Sequence, residues 1–170
     1  TSLGLERVRT VVDSWRDAIS QLPDSRSLIP DPGSLIPTGT LSPSERALRR
    51  KTHDTIRRVT ADIEQRQQLN TAISAMMELV NDLYAFGEPV SRPEAVAVVG
   101  EAVEALVRMI APFAPHMAEE LWEMLGHEGG LAAARWPEYR AEVARADEIV
   151  VPVQVNGKLR GRRTVPAATA

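Results

Sequence analysis

The sequence predicts a mainly α fold, an up-and-down helical bundle followed by a C-terminal β-hairpin. Apolar residues recur at alternating steps of three and four along most of the chain, and proline, glycine and capping residues punctuate them at short intervals. Past residue 147 the pattern changes to β-branched runs around Asn156-Gly157. The 170 residues, 44% hydrophobic and 25% charged, suit one soluble domain or one plus a fragment. A chain of this length buries roughly 70% of its unfolded surface and needs no staples. With no cysteine there is no disulfide, thiolate zinc site or cysteine nucleophile. No run of about 18 apolar residues occurs. Thr1 is not an initiator Met, the first residues lack a signal-peptide pattern, and Ala167-Ala168-Thr169-Ala170 follows directly on a strand-like run. A piece of a longer protein is therefore expected.

Leu5, Val8, Val12, Trp15, Ile19 and Leu22 form the stripe of a first amphipathic helix, stopped by Pro23. Residues 23–41 hold four prolines, two glycines and a repeated Ser-Leu-Ile-Pro, and read as a long irregular insertion. Ser42-Pro43-Ser44-Glu45 is a capping box that opens a second helix, with Leu48, Thr52, Ile56, Val59 and Ile63 as its apolar stripe. A third helix is expected with Asn70 as its cap, carrying Ala72, Ile73, Met76, Leu79, Val80 and Leu83 and closing at Gly87. Ser91-Arg92-Pro93-Glu94 reads as another capping box, and Val96, Val99, Val103, Leu106 and Ile110 give the fourth helix its buried side. Pro112 and Pro115 break the chain before a short fifth helix, His116 to Leu125, ended by Gly126. For the hairpin, a three-residue loop pairing Val153 with Leu159 and Val151 with Gly161 is preferred. It gathers Gln154, Lys158, Arg160 and Arg162 on one face. An isolated hairpin is only marginally stable, so this one should belong to a second, truncated domain or lean on the bundle.

The net charge of −3 argues against a general polyanion binder, yet its distribution is uneven. From Ser42 to Thr60 there are six basic residues, Arg46, Arg49, Arg50, Lys51, Arg57 and Arg58, against Glu45 and Asp54. At about 100° per residue, Arg46, Arg50, His53 and Arg57 share a narrow sector away from the apolar stripe and are expected to face water. Their spacing suits phosphate oxygens on neighbouring turns, which guanidinium forks bind bidentately. A solvated helix face reads the same way. Lys158, Arg160 and Arg162 alternate along one strand, either to meet a charged backbone or to protect an edge. The histidines His53, His116 and His127 are scattered, no carboxylate pair is marked out, and no Gly-rich phosphate loop is present. The residues give a binding module and no catalytic, metal or cofactor site.

Ala111-Pro112-Phe113-Ala114-Pro115-His116-Met117-Ala118-Glu119-Glu120-Leu121-Trp122 resembles the signature of the helical, anticodon-binding domain of class I aminoacyl-tRNA synthetases in the leucine/isoleucine/valine branch. Further motifs follow in the family's order: residues 53–63, residues 70–79, Trp136-Pro137, and Val153-Gln154-Val155-Asn156-Gly157-Lys158-Leu159-Arg160-Gly161. His116 and the last motif resemble the bacterial-type leucyl enzymes most. Residues 23–41 are longer and richer in proline than the family pattern, and Ala132-Ala133-Ala134-Arg135 replaces a more strand-like segment. The resemblance implies a bundle over 1–146 and the start of a small α/β C-terminal domain over 147–170. It also implies a cytoplasmic parent enzyme that uses ATP and Mg to attach leucine to tRNA(Leu), with no membrane or DNA partner. The family's His-Ile-Gly-His-like and Lys-Met-Ser-Lys-Ser-like catalytic motifs do not occur in the sequence, so this segment should be inactive alone. On this resemblance Arg46, Arg50 and Arg57, with the Lys158/Arg160/Arg162 face, would add affinity for tRNA rather than base specificity. The alternatives are the equivalent domain of an isoleucyl or valyl enzyme, and a protein-interaction bundle whose arginines meet an acidic partner.

Overall fold

The structure, a computed structural model, describes the backbone of residues 2–20, 41–86, 92–127, 129–144, 148–155 and 158–166, and side chains from residue 6 to 144 within those ranges. Six α-helices are present among them: α1 Ser2–Ser20, α2 Pro43–Ala61, α3 Leu69–Ala85, α4 Pro93–Ile110, α5 Pro115–Met124 and α6 Ala141–Ala144. The protein is mainly helical. The Pro-rich segment expected as an insertion lies outside the described residues but for Leu41, which is buried.

The start of α2 is set locally. Ser42 Oγ accepts the Glu45 backbone N–H at 3.2 Å, and the Glu45 carboxylate accepts the Ser42 N–H at 2.6 Å, with Pro43 preset in the first turn. After Ala61 the helix widens into a π-helical turn, Asp62–Arg66, and stops at Gln67, which has a left-handed backbone with φ 52°. α3 then begins at Leu69, with Gln68 and not Asn70 at its cap position and no side-chain cap. The second expected capping box is also corrected: the N-cap of α4 is Arg92, without a side-chain cap. A residue before proline is driven out of helical geometry into extended backbone, which makes Arg92 the last non-helical residue. α5 ends as expected near Gly126, whose φ of +87° favours glycine and whose N–H donates to the Glu123 carbonyl at 2.9 Å.

Ion pairs give the helices their directions. Lys51 reaches Glu78 and Asp82 while Arg58 reaches Glu78, so α3 runs antiparallel to α2. Arg92 reaches Glu45, and Glu101 pairs with Arg49 and His53, so α4 runs parallel to α2. α4 packs against α1, α2, α3 and α5 and is the centre of the bundle. The expected stripe of α4 is buried, but so are Ala95, Val98, Ala102, Ala105, Val107 and Met109, leaving this helix covered nearly all round. Ile73, read as core, is 37% exposed.

Trp15 of α1 lies against Gly100 of α4. A Cβ at Gly100 would sit 2.8 Å from Trp15 Cζ2, and a rigid indole cannot give way as a flexible chain end can. Gly100→Ala is therefore expected to lower stability by about 1–2 kcal/mol, the overpacking cost exceeding the gain in helix propensity. Urea unfolding would check this; a stabilised variant would mean that α1 moves freely on α4.

The C-terminal strands, β1 Glu148–Val155 and β2 Lys158–Pro166, pair antiparallel. Their register is not the one expected. Val155 faces Lys158 and Gln154 faces Leu159, then a bulge at Arg160 shifts the ladder so that Val153 faces Gly161 and Val151 faces Arg163. The bulge adds its extra residue within β2, where a three-residue loop had been expected. The two-residue period that grouped Lys158, Arg160 and Arg162 is interrupted at that point.

Candidate nucleic-acid interface

The basic run of α2 does not present its six cations alike. Arg49 is buried, its side chain 3% exposed, and donates through Nε to Glu101 Oε2 at 2.7 Å. Lys51 and Arg58 both bond to Glu78 of α3, at 2.8 and 3.0 Å, and hold its carboxyl below the usual range. Arg46, Arg50 and Arg57 remain. Arg46 is exposed and donates to the Leu41 carbonyl at 2.7 Å. Arg50 is half-buried and makes no side-chain hydrogen bond or ion pair among the described residues. Arg57, with its side chain 56% exposed, pairs with Asp54 three residues earlier.

His53 corrects the expectation that the whole stripe faces water. It is 2% exposed and held from two sides. Its Nε2 lies 3.2 Å from Glu101 Oε1, and its Nδ1 accepts the backbone N–H of Arg140 at 3.2 Å. Since Nδ1 is the acceptor, the proton sits on Nε2 and is donated to Glu101. This histidine joins α2, α4 and the chain near Arg140, and is closed to a ligand. The residues that bury it are 48 and 87 positions away, beyond the reach of helical periodicity.

The covering segment is the other surprise. Beyond a 3₁₀ turn, Leu131–Ala133, residues 136–140 lie along α2 as a strap. Trp136 Nε1 donates to Thr60 Oγ1 at 2.8 Å, and four residues later Arg140 N–H meets His53. The strap thus runs antiparallel to α2 across about 10 Å of helix, the rise from residue 53 to residue 60. Within it Pro137 is buried, while Trp136 and Tyr139 are 36% and 41% exposed. Residues 50, 53, 57 and 60 share a helix face, and the strap is tied to that face at residues 53 and 60. Arg140 contributes a buried Nη1 that has no hydrogen-bond partner. The sequence reading took Trp136-Pro137 only as a motif; two aromatics three apart followed by an arginine was the signal available.

The side chains of Lys158, Arg160 and Arg162 lie outside the described residues, so the structure brings together only the α2 part of the expected site. His116 is exposed, and His127 stacks on Trp122 with ring centroids 3.8 Å apart and contacts Glu104 at 3.1 Å. Among the described residues no group of three or more His, Asp or Glu side chains is placed to hold a metal ion.

Comparison with known proteins gives this surface its context. Residues 45–170 match the model of the anticodon-binding domain of tRNA ligase. The leucine–tRNA ligase of Geotalea daltonii is 54% identical over 128 residues, 75% of this chain and 15% of that protein. That of Syntrophus aciditrophicus is 44% identical over 164 residues, 95% of this chain and 19% of that protein. The fold matches the LeuRS of a LeuRS-tRNA-LeuAMS ternary complex from Agrobacterium radiobacter K84 with a TM-score of 0.75 and 36% identity, covering 95% of this chain and 19% of that one. The chain thus spans under a fifth of the length of these relatives, and it belongs to the anticodon-binding domain family of tRNA ligases.

Proposed function

We propose that this chain is the tRNA-docking segment of a bacterial-type leucyl-tRNA synthetase, with tRNA(Leu) as its partner. The observation that carries the reading is the set of accessible arginines, Arg46, Arg50 and Arg57, on α2 of a domain whose structural relative is a LeuRS in complex with tRNA. Guanidinium groups spaced one and two turns apart along a helix suit a phosphate backbone and neutralise it without reading bases. Docking the tRNA body holds the distant acceptor end in place, so the segment contributes positioning and no bond chemistry. Leucine activation with ATP and Mg belongs, on this reading, to the catalytic part of the ligase and not to these 170 residues. Residues 1–146 would form the docking bundle, and 147–170 would open a small C-terminal α/β domain, with Lys158, Arg160 and Arg162 adding further phosphate contacts. His53 has no part in binding beyond fixing the strap. The setting is cytoplasmic, the partners being tRNA and the remaining ligase domains, with no DNA and no membrane.

The test is a salt titration of tRNA(Leu) binding by the full-length ligase carrying Arg50→Ala and Arg57→Ala. Each substitution should weaken binding several-fold and lower the slope of log affinity against log salt by about one. Unchanged affinity and slope in the double variant would reduce the stripe to a solvated face.

A further inference from the structure

The cations of α2 are arranged about one carboxylate. Arg50, Lys51, Arg57 and Arg58 stand four and three residues before Asp54 and three and four residues after it. These are the four positions whose side chains neighbour residue 54 on a helix. The other acid of α2, Glu45, is wholly buried in its first turn, so Asp54, its side chain 40% exposed, is the carboxylate this helix presents to solvent. Lys51 and Arg58 are drawn away to Glu78 of α3, and Arg50 makes no pair among the described residues. Arg57 takes Asp54, donating from Nη2 to Oδ1.

Both members of this pair are open to water, and a pair so exposed holds together weakly. A phosphate oxygen offers Arg57 the same charge-assisted bond. Asp54 and a phosphate are therefore rivals for one guanidinium, and the carboxylate also repels an anion approaching Arg50, one turn away. Phosphate contacts add affinity for every tRNA alike, so a carboxylate among them lowers affinity without touching sequence preference.

We infer that Asp54 is an internal competitor for the phosphate that Arg57 meets, a fixed anion that limits sequence-independent affinity and lets bound tRNA leave. The inference rests on the tRNA-docking reading and adds to it a residue that opposes binding.

The experiment is a salt titration of binding by the full-length ligase, with tRNA(Leu) and a tRNA for another amino acid as probes. Asp54→Asn should tighten both about three- to fivefold at low salt, and the gain should close as salt rises, because the competition it removes is itself screened. Asp54→Glu keeps a charge within reach of Arg57 and should bind as the wild type does. In an Arg57→Ala background the gain from Asp54→Asn should shrink, since the two anions no longer share that cation. Urea unfolding separates the structural alternative: a carboxylate that only relieves repulsion among four cations would lower stability when removed and leave affinity unchanged. Equal or weaker binding by Asp54→Asn, or a gain confined to tRNA(Leu), would overturn the inference. If Arg57→Ala still weakened binding in that case, tRNA docking would stand without it. An Arg57→Ala ligase with wild-type affinity and salt slope would remove the docking role of Arg57 and the inference together.

Discussion

Glu101→Ala is expected to lower the stability of the protein by about 3–5 kcal/mol, the range for removing one partner of a buried ion pair. The Arg49 guanidinium stays buried whether or not its carboxylate is there, and His53 loses the acceptor of its Nε2 proton. Urea unfolding at neutral pH measures the loss; a change below 1 kcal/mol would mean that Arg49 escapes to water. The effect depends on pH with a definite sign. Burial pushes the Glu101 carboxyl up, but hydrogen bonds from His53 and Arg49, helped by the guanidinium charge, outweigh it and hold it below its ordinary 4.5. Its stabilising contribution is therefore complete above 4.5 and fades as the pH falls through the lower folded-state value. Glu104, three residues on, has the opposite sign. Burial raises it despite Arg108 and His127, so its ionisation opposes folding as the pH rises through that value. The Glu101→Ala difference should accordingly shrink in acid.

Trp15→Ala carries an expected loss of similar size, about 3–5 kcal/mol. The indole is 2% exposed and lies on the bare backbone of Gly100, and its Nε1 donates to the Val96 carbonyl at 3.1 Å. Alanine would leave a cavity that neighbouring side chains cannot close, because the position opposite has no side chain to move. Trp15→Phe fills most of that volume but drops the N–H, so it should retain more than half of the lost stability. Thermal unfolding of the two variants separates packing from hydrogen bonding; equal losses would place the stabilisation in the bond to Val96 rather than in the ring.

How much of this was legible in the sequence varies with the range of the interaction. The Ser42–Glu45 box closes within four residues, and its geometry follows from those residues alone. The core positions of α2 also follow from periodicity, with Leu48, Thr52, Ile56 and Val59 all buried. Helical arithmetic grouped residues 46, 50, 53 and 57 on one face but could not say what covers that face. The cover is a strap some 80 residues further along, and it buries His53 while leaving Arg57 exposed. Charge counting failed for the same reason: Arg49, Lys51 and Arg58 meet acids on α3 and α4. In α4 the apolar stripe was visible, but the alanines and Gly100 between its members look neutral in a pattern and prove to be the close-packed sides of a central helix.

The parallel run of α2 and α4 has an electrostatic consequence. Side by side and pointing the same way, two helices align their dipoles so that they repel, with both positive ends at one end of the bundle. Glu45 sits at that end, wholly buried. Its carboxylate accepts the backbone N–H at the start of α2, and its other oxygen lies 3.2 Å from Nη1 of Arg92, the residue that opens α4. One negative charge thereby answers two partial positive charges, and the capping residue of one helix becomes the counter-ion for a pair.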